Sequence, residues 1–453
     1  MSDMNLRNKP VVRDPSERSL DFGEVCLGFT PQAAALEAQR CLGCKAAPCM
    51  KGCPVGVQIP RFIACLKDGD VAKAKAVILK DSSLPSVCGR VCPQENQCEK
   101  LCVRAVKGQP VAIGLLERFV ADNAQIQGVA AKKTGKRVAV VGSGPAGLAC
   151  AGDLIRAGVD VTVFEAFHKL GGVLVYGIPE FRLPKALVEK EVAELAQLGV
   201  TFEKDVVVGK TVELSELAEQ YDAVFVGTGA GLPMFMNIPG ENLNGVFSAN
   251  EYLTRVNLMK AYLADSDTPV FKSKKAVVVG AGNVAMDGAR TALRMGAEVS
   301  VVYRRGREEM PARAEEIEHA EEEGVELKLL SNPVRINGEN GFVKSVTCIK
   351  MELGEPDASG RRSPVAVDGS EFDIECDMVL MALGTSPNPL LTSSCKALAT
   401  GRRGVIEVDE SLETSLKGVY AGGDAVTGSA TVIRAMGQGK KAAASILQSF
   451  ENN

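Results

Sequence analysis

The chain has 453 residues, 46% apolar and 24% charged, the mix of a globular protein with about three domains. Its net charge is −4, and no apolar run reaches the roughly 18 residues of a membrane helix, so neither a dedicated nucleic-acid binder nor a membrane protein is expected. Two histidines, His168 and His319, supply His-based zinc catalysis and Ser–His–Asp chemistry poorly. Residues 1–30 are polar and carry no secretory pattern, so a cytoplasmic location is expected.

Residues 1–131 read as a helical, cysteine-rich domain. Thr30-Pro31 predicts a helix start, Thr as cap and Pro at the first helical position. That helix, Gln32 to about Arg40, delivers the chain to Cys41. A second helix is predicted from about Asp70 to Lys80, and residues 132–137 read as a linker. The pattern then changes. A β-branched strand, Val138–Val141, runs into Gly142-Ser-Gly-Pro-Ala-Gly147, a helix Leu148–Ala157, and a strand Val161–Phe164 that ends at Glu165. The order recurs as a strand Ala276–Val279, the turn Gly280-Ala-Gly-Asn-Val-Ala285, a helix to Met295, and a strand Glu298–Tyr303 ending at Arg304-Arg305. Two such units imply two nucleotide sites. Between them lies a Gly/Pro-rich stretch, 227–245. Further on, an apolar strand, Met378–Ala382, leads into Gly384-Thr385.

The first glycine motif follows a strand, opens a helix and meets an acidic residue 23 positions after Gly142. Gly142 permits the tight turn, Gly144 lets backbone approach a pyrophosphate, and Gly147 allows close helix–strand packing. The helix N-terminus stabilises phosphate charge, and Glu165 suits an adenosine ribose. Downstream, Gly422-Gly-Asp424 precedes a helix near Thr431. Asp424 there suits a flavin ribityl chain, with the helix N-terminus aimed at the flavin N1/O2 edge. A turn-capping Asp is the bland alternative. The second motif ends instead in Arg304-Arg305, which suit the 2′-phosphate of NADP, unless they are a solvated loop pair.

Fourteen cysteines are present, ten of them before residue 103. The first group is Cys41-x2-Cys44-x4-Cys49-x3-Cys53-Pro, and the second is Cys88-x3-Cys92-Pro-x4-Cys98-x3-Cys102. Four cysteines within 13 residues can wrap a compact inorganic cluster, whereas zinc ribbons space their knuckles further apart. Structural zinc is the alternative. Cys26, Cys65, Cys150, Cys348, Cys376 and Cys395 read as ordinary buried residues. No CxxC pair lies in or beside either nucleotide domain to receive electrons, so clusters are the available acceptors. Residues 1–131 carry 17 basic and 13 acidic side chains, an excess that cluster thiolates would offset.

Together these motifs resemble the small subunit of NADPH-dependent glutamate synthase and its relatives. The resemblance runs through Arg13-Asp-Pro-x-x-Arg18, Glu24-Val-x-Leu-Gly28-Phe-Thr30, Arg40-Cys-Leu-x-Cys44, Val87-Cys-Gly-Arg-Val-Cys-Pro93, Ile113-Gly-x-Leu-Glu-Arg-Phe119, Gly177-Ile-Pro-Glu-Phe-Arg-Leu-Pro184 and Ala421-Gly-Gly-Asp424. It implies an α/β fold: an N-terminal α-helical domain with two 4Fe-4S clusters, then two Rossmann-like domains, the NADP domain inserted in the FAD domain. The implied boundaries are 1–131, 132–232, 233–372 and 373–453. Cys41, Cys44, Cys49 and Cys102 would hold one cluster; Cys53, Cys92, Cys98 and Glu117 would hold the other, leaving Cys88 over. Implied FAD contacts are Gly142, Gly144, Pro145, Ala146, Gly147, Glu165, Gly172, Arg182, Gly229, Asp424 and Thr431. Implied NADPH contacts are Gly280, Gly282, Asn283, Val284, Arg304 and Arg305. Electrons would pass from NADPH to FAD, to the clusters, and to a large glutamate-forming partner subunit. A related assignment is the large subunit of an NADH-dependent reduced ferredoxin:NADP oxidoreductase, whose partner is a small flavoprotein. A zinc-stapled nucleotide-binding scaffold is the rival from another class.

Overall fold

A computed structural model describes residues 4–452 except 127, 128, 130, 357 and 359. Short β-branched runs buried on both faces favour parallel pairing. Strands Arg137–Val141, Asp160–Phe164, Thr201–Glu203, Ala223–Val226 and Val419–Ala421 accordingly form a five-stranded parallel sheet, with Arg137–Val141 at its centre. The following helix spans Pro145–Arg156, three residues earlier than the sequence pattern suggests, because the glycine motif supplies its first turn and Pro145 its first position. It packs against the long C-terminal helix Val432–Glu451. Gly439 makes that approach possible, since a side chain there would run into the carbonyl oxygen of Ala146.

A second parallel sheet orders Glu326–Leu329, Glu298–Tyr303, Lys275–Val279, Met378–Met381 and Val246–Ser248. This corrects the boundary drawn at residue 373. Met378–Met381 pairs on one side with Lys275–Val279 and on the other with Val246–Ser248, inside the inserted domain. The four residues are fully buried and apolar, so either sheet would accept them, and the strand register decides. The chain rejoins the first sheet only at Val419–Ala421. An antiparallel sheet that the sequence reading did not anticipate, Ser331–Glu339, Phe342–Pro356, Arg362–Ala366 and Phe372–Glu375, is built onto the inserted domain.

The cysteine-rich domain is helical, as expected. Thr30 Oγ1 accepts from Ala33 N–H at 3.2 Å and caps Pro31–Gln39. Asp70 caps Val71–Ile78, accepting from Lys73 N–H at 2.8 Å. Helices Pro85–Val91 and Ile113–Asn123 pack together, and Pro85–Val91 also meets the helices Lys185–Gln197 and Val432–Glu451. Leu84, Val87 and Cys88 share one continuous apolar core with Val138, Leu148, Met436 and Ile446. The cysteine domain and the first Rossmann-like domain are therefore fused through a common core.

The inserted domain is attached by apolar contact, Leu258 joining that shared core, and by ion pairs. Arg18, from the N-terminal segment, bonds Glu322 at 2.6 Å and Glu323 at 3.0 Å. Arg182 bonds Asp287 across the joint, while Arg290 bonds Glu316 and Glu323 within the inserted domain itself.

Candidate redox site

The three glycines of the first turn do separate jobs. Gly142 sits at φ +100°, and a Cβ there would come within 2.6 Å of Gly227 O. Around Gly144 a Cβ would meet nothing within 4 Å, so that approach is open. At Gly147 a Cβ would run into Gly142 O. Pro145 and Ala146 then open the helix, whose N-terminal N–H groups face the open side of Gly144. Gly172 packs over the same turn, with a Cβ only 2.9 Å from Gly144 Cα. Glu165 is buried. Its carboxylate accepts from Ser143 N–H at 2.9 Å, from the Ser143 hydroxyl, and from Phe167 N–H at 2.9 Å. Ser143, which the sequence reading passed over, thus fixes the acidic residue against the phosphate turn.

At the other end of this cleft, Gly423 turns at φ +70° and Asp424 accepts from Ala430 N–H at 3.1 Å. Burial pushes the Asp424 carboxyl up to about 6. Thr431 caps the C-terminal helix, and its Oγ1 is buried with no hydrogen-bond partner among the described residues. Tyr176 lies between the two ends of the cleft: burial, then the charges of Asp424 and Glu165, raise its phenol to about 12. Gly229 is open, at φ +71°. An open glycine turn, a buried carboxyl and an orphaned hydroxyl at a helix N-terminus fit a flavin dinucleotide. Arg182 departs from this group. Its guanidinium is taken up by Asp287, at 2.6 and 2.7 Å, and stands 3.0 Å from Glu316, both in the inserted domain.

The second turn repeats the design. Gly280 turns at φ +124°, with Ala382 O where a side chain would go. Gly282 is open, its nearest neighbour being Pro311 at 4.0 Å. Asn283 opens the helix Asn283–Arg294 and accepts from Arg313 N–H at 3.0 Å, while Val284 stays partly exposed beside it. The two arginines part company. Arg304 is exposed, whereas Arg305 is buried and donates from Nε to Arg362 O at 2.8 Å. Consecutive residues at a strand end face opposite ways, and the antiparallel sheet, invisible in the sequence reading, takes one of them.

The cysteines sort into two groups. Cys41, Cys44, Cys49 and Cys102 line one cavity together with Ile59, Ile63 and Ile113. Burial, followed by the charges of Cys102 and Cys41, pushes the Cys49 thiol up to about 11. In the other group, Cys53 is raised to about 11 by burial and by Glu117. Cys98 is raised by burial and then by Glu99, Cys53 and Glu117, and Cys92 lies beside Glu117, Cys98 and Cys53. Glu117 is raised to about 8 by burial and by Glu191. The order of the chain is thus interleaved: Cys53 leaves the first group for the second, and Cys102 does the reverse. Desolvated thiols and a carboxyl that feel one another's charge are a donor set that iron ions would satisfy by displacing the protons. Among the described residues no three such side chains are grouped tightly enough for a single metal ion. Cys26 and Cys395 are only partly buried, contrary to expectation.

One helix joins the cleft to the second cysteine group. Just over one turn into Val432–Glu451, Met436 Sδ lies 3.5 Å from Cys88 Sγ, and a Cβ on Gly437 would sit 2.9 Å from Pro54 O. Cys88 lies one helical turn before Cys92, whose N–H donates to Cys88 O at 3.2 Å.

Residues 136–439 match the family model described as pyridine nucleotide-disulphide oxidoreductase. Residues 18–129 match the one described as dihydropyrimidine dehydrogenase domain II, 4Fe-4S cluster. The glutamate synthase (NADPH) small chain of Halomonas elongata is 36% identical, over 97% of this chain and 96% of its own. The small chain of Escherichia coli K12 is 37% identical, over 98% and 97%. The NADP(+)-dependent formate dehydrogenase subunit beta of Moorella thermoacetica is 41% identical over 89% of this chain, which spans only 60% of that subunit. The structure of Mycobacterium tuberculosis FprA in complex with NADPH superposes with a TM-score of 0.59 at 20% identity, over 70% of this chain and 85% of that one, and so shares the fold. With near-complete matches of this identity and a 4Fe-4S domain ahead of the pyridine-nucleotide domains, the chain belongs to the family of glutamate synthase small chains.

Proposed function

We propose that this chain is the NADPH-oxidising, electron-distributing subunit of a glutamate-synthase-type complex. When bound, FAD accepts a hydride from NADPH, and two 4Fe-4S clusters carry the electrons onward singly. The protein's own contribution is placement. Gly142, Gly144 and Gly147, with the helix they open, hold the flavin pyrophosphate; Asp424 and Glu165 hold its ribityl and ribose ends. Thr431 Oγ1 and the N-terminus of the helix behind it would offer a bound flavin a hydroxyl and a positive helix end, which favours the charge that reduction creates. Gly280 and Gly282 hold the NADPH pyrophosphate, and Arg304 holds the 2′-phosphate. Cys41, Cys44, Cys49 and Cys102 hold the outer cluster. Cys53, Cys92, Cys98 and Glu117 hold the inner one.

The observation that carries this reading is the helix Val432–Glu451. It begins at the unpartnered Thr431 hydroxyl and reaches Cys88 and Pro54 within its second turn, beside the second cysteine group. The cleft and the inner cluster site are thereby held on one rigid element. The chain's N-terminal domain supplies the acceptors that a CxxC pair supplies in other flavoprotein reductases.

Purification with the native partner chain tests the proposal. A large subunit that forms glutamate from glutamine and 2-oxoglutarate, at the expense of NADPH added to this chain, is the expected result. Copurification with a small flavoprotein and ferredoxin-dependent turnover would assign the chain to the ferredoxin:NADP oxidoreductase type instead.

A further inference from the structure

Both cysteine groups pack against the shared core of the cysteine and flavin domains. The cavity of Cys41, Cys44, Cys49 and Cys102 is also edged by exposed apolar side chains: Leu42 and Val103 line it, and Val106, four residues after Cys102, is 80% exposed. The segments that carry these cysteines, 41–53 and 100–107, contain five basic residues and no acidic one. Lys45, Lys51, Lys100 and Lys107 are exposed, Arg104 is half-buried at the cavity edge, and none of the five forms an ion pair among the described residues. Acidic residues next to these segments turn inward: Glu37 bonds Arg40 at 2.6 Å, and Glu99 bonds Arg7 at 2.9 Å. The segments that bear these cysteines thus carry a run of basic side chains, four of them too exposed to stabilise a cluster strongly through water.

An apolar centre with a rim of one charge is the anatomy of a docking surface for a partner of the opposite charge. We propose that this face is where electrons leave the chain, and that the protein which accepts them presents an acidic rim around an apolar patch over its own acceptor centre. The inference rests on the electron-transfer role proposed above. Each event moves one electron from the outer cluster to the docked acceptor, oxidising the one and reducing the other, with no bond made or broken. Unpaired lysines would speed encounter by long-range attraction, and Leu42 and Val103 would exclude water once the faces meet.

The test uses the complete holoprotein, NADPH, and two one-electron acceptor proteins too large to enter the flavin cleft: an acidic blue-copper protein and a basic cytochrome c. At low ionic strength the acidic acceptor is expected to be reduced at least about 10-fold faster, with the advantage vanishing as salt is raised. The variant K45E/K51E/K100E/K107E is expected to reverse the preference, and K45Q/K51Q/K100Q/K107Q to abolish it. Flavin bleaching by NADPH and the EPR spectrum of the reduced clusters should stay as in the parent. Equal rates for both acceptors, or variants that keep the parental salt dependence, would overturn the proposal. So would variants whose cluster potential moves while acceptor preference does not, since the lysines would then only balance cluster charge. If NADPH reduces neither flavin nor clusters in the parent protein, the electron-transfer role itself falls.

Discussion

Arg182 Nη1 donates to both carboxylate oxygens of Asp287, at 2.6 and 2.7 Å, across the joint between the flavin domain and the inserted nucleotide domain. Both side chains are buried, and Glu316 stands 3.0 Å from the same guanidinium. Three charges therefore hold one another out of water. Removing the cation alone leaves two buried carboxylates without it.

Arg182→Met should accordingly destabilise the protein by about 3–5 kcal/mol, the usual cost of breaking a buried pair from one side. Urea unfolding followed by circular dichroism measures it. Arg182→Met combined with Asp287→Leu should recover part of the loss, because the double change removes the stranded charge as well. A loss below about 1 kcal/mol for the single variant would mean that water reaches the joint.

Arg304 and Arg305 should separate in kinetics. Arg304→Ala is expected to raise KM for NADPH at least about 10-fold while KM for NADH barely moves, because a charge-assisted bond to the 2′-phosphate is lost. Arg305→Ala should instead lower thermal stability, since its Nε holds Arg362 O. Equal effects of Arg304→Ala on the two nucleotides would show that another group reads the phosphate.

Much of this was legible in advance, and the gaps have physical causes. Glycine roles at 142, 144 and 147 follow from local geometry, so spacing alone located them. It also located the cap Thr30, which acts within one turn, whereas Asp70, read only as the start of a helix, proves to be its cap. The sheet membership of Met378–Met381 was not legible, because an all-apolar strand of four residues records burial but not its neighbours. The split of Arg304 from Arg305 depends on a sheet strand that begins at Arg362, 57 residues further along the chain. Arg182 belongs to a motif that sequence reading attaches to the flavin domain, yet its partners, Asp287 and Glu316, arrive from the inserted domain. Helical spacing could have placed Asp287 and Arg290 near one face of one helix, but nothing local named their partners.

Cys53→Ala should remove one cluster and spare the other. The interleaved grouping assigns Cys53 to the inner set, whereas Cys41, Cys44, Cys49 and Cys102 retain their own cavity. Iron per chain is expected to fall by about half, with FAD still bound. Folded protein devoid of both clusters would contradict the grouping.

Glu117 sits in an otherwise apolar turn of the helix Ile113–Asn123, where an unpartnered carboxylate is costly. Glu117→Ala should weaken retention of the inner cluster and slow transfer beyond the flavin, while NADPH bleaches the flavin at the parental rate in stopped flow. Glu117→Cys should keep the cluster and shift its potential, because thiolate is the softer ligand. Unchanged iron content and potentials in both variants would move the fourth ligand elsewhere.

The most direct measurement is an anaerobic titration of the purified chain with NADPH, followed by optical and EPR spectroscopy on a sample assayed for FAD and iron. About one FAD and about eight irons per chain are expected, for two four-iron clusters. NADPH should bleach the flavin band near roughly 450 nm and then bring up EPR signals from reduced clusters. A chain that holds zinc and no iron, or whose clusters stay oxidised while the flavin is fully reduced by excess NADPH, would contradict the path from nucleotide to flavin to clusters.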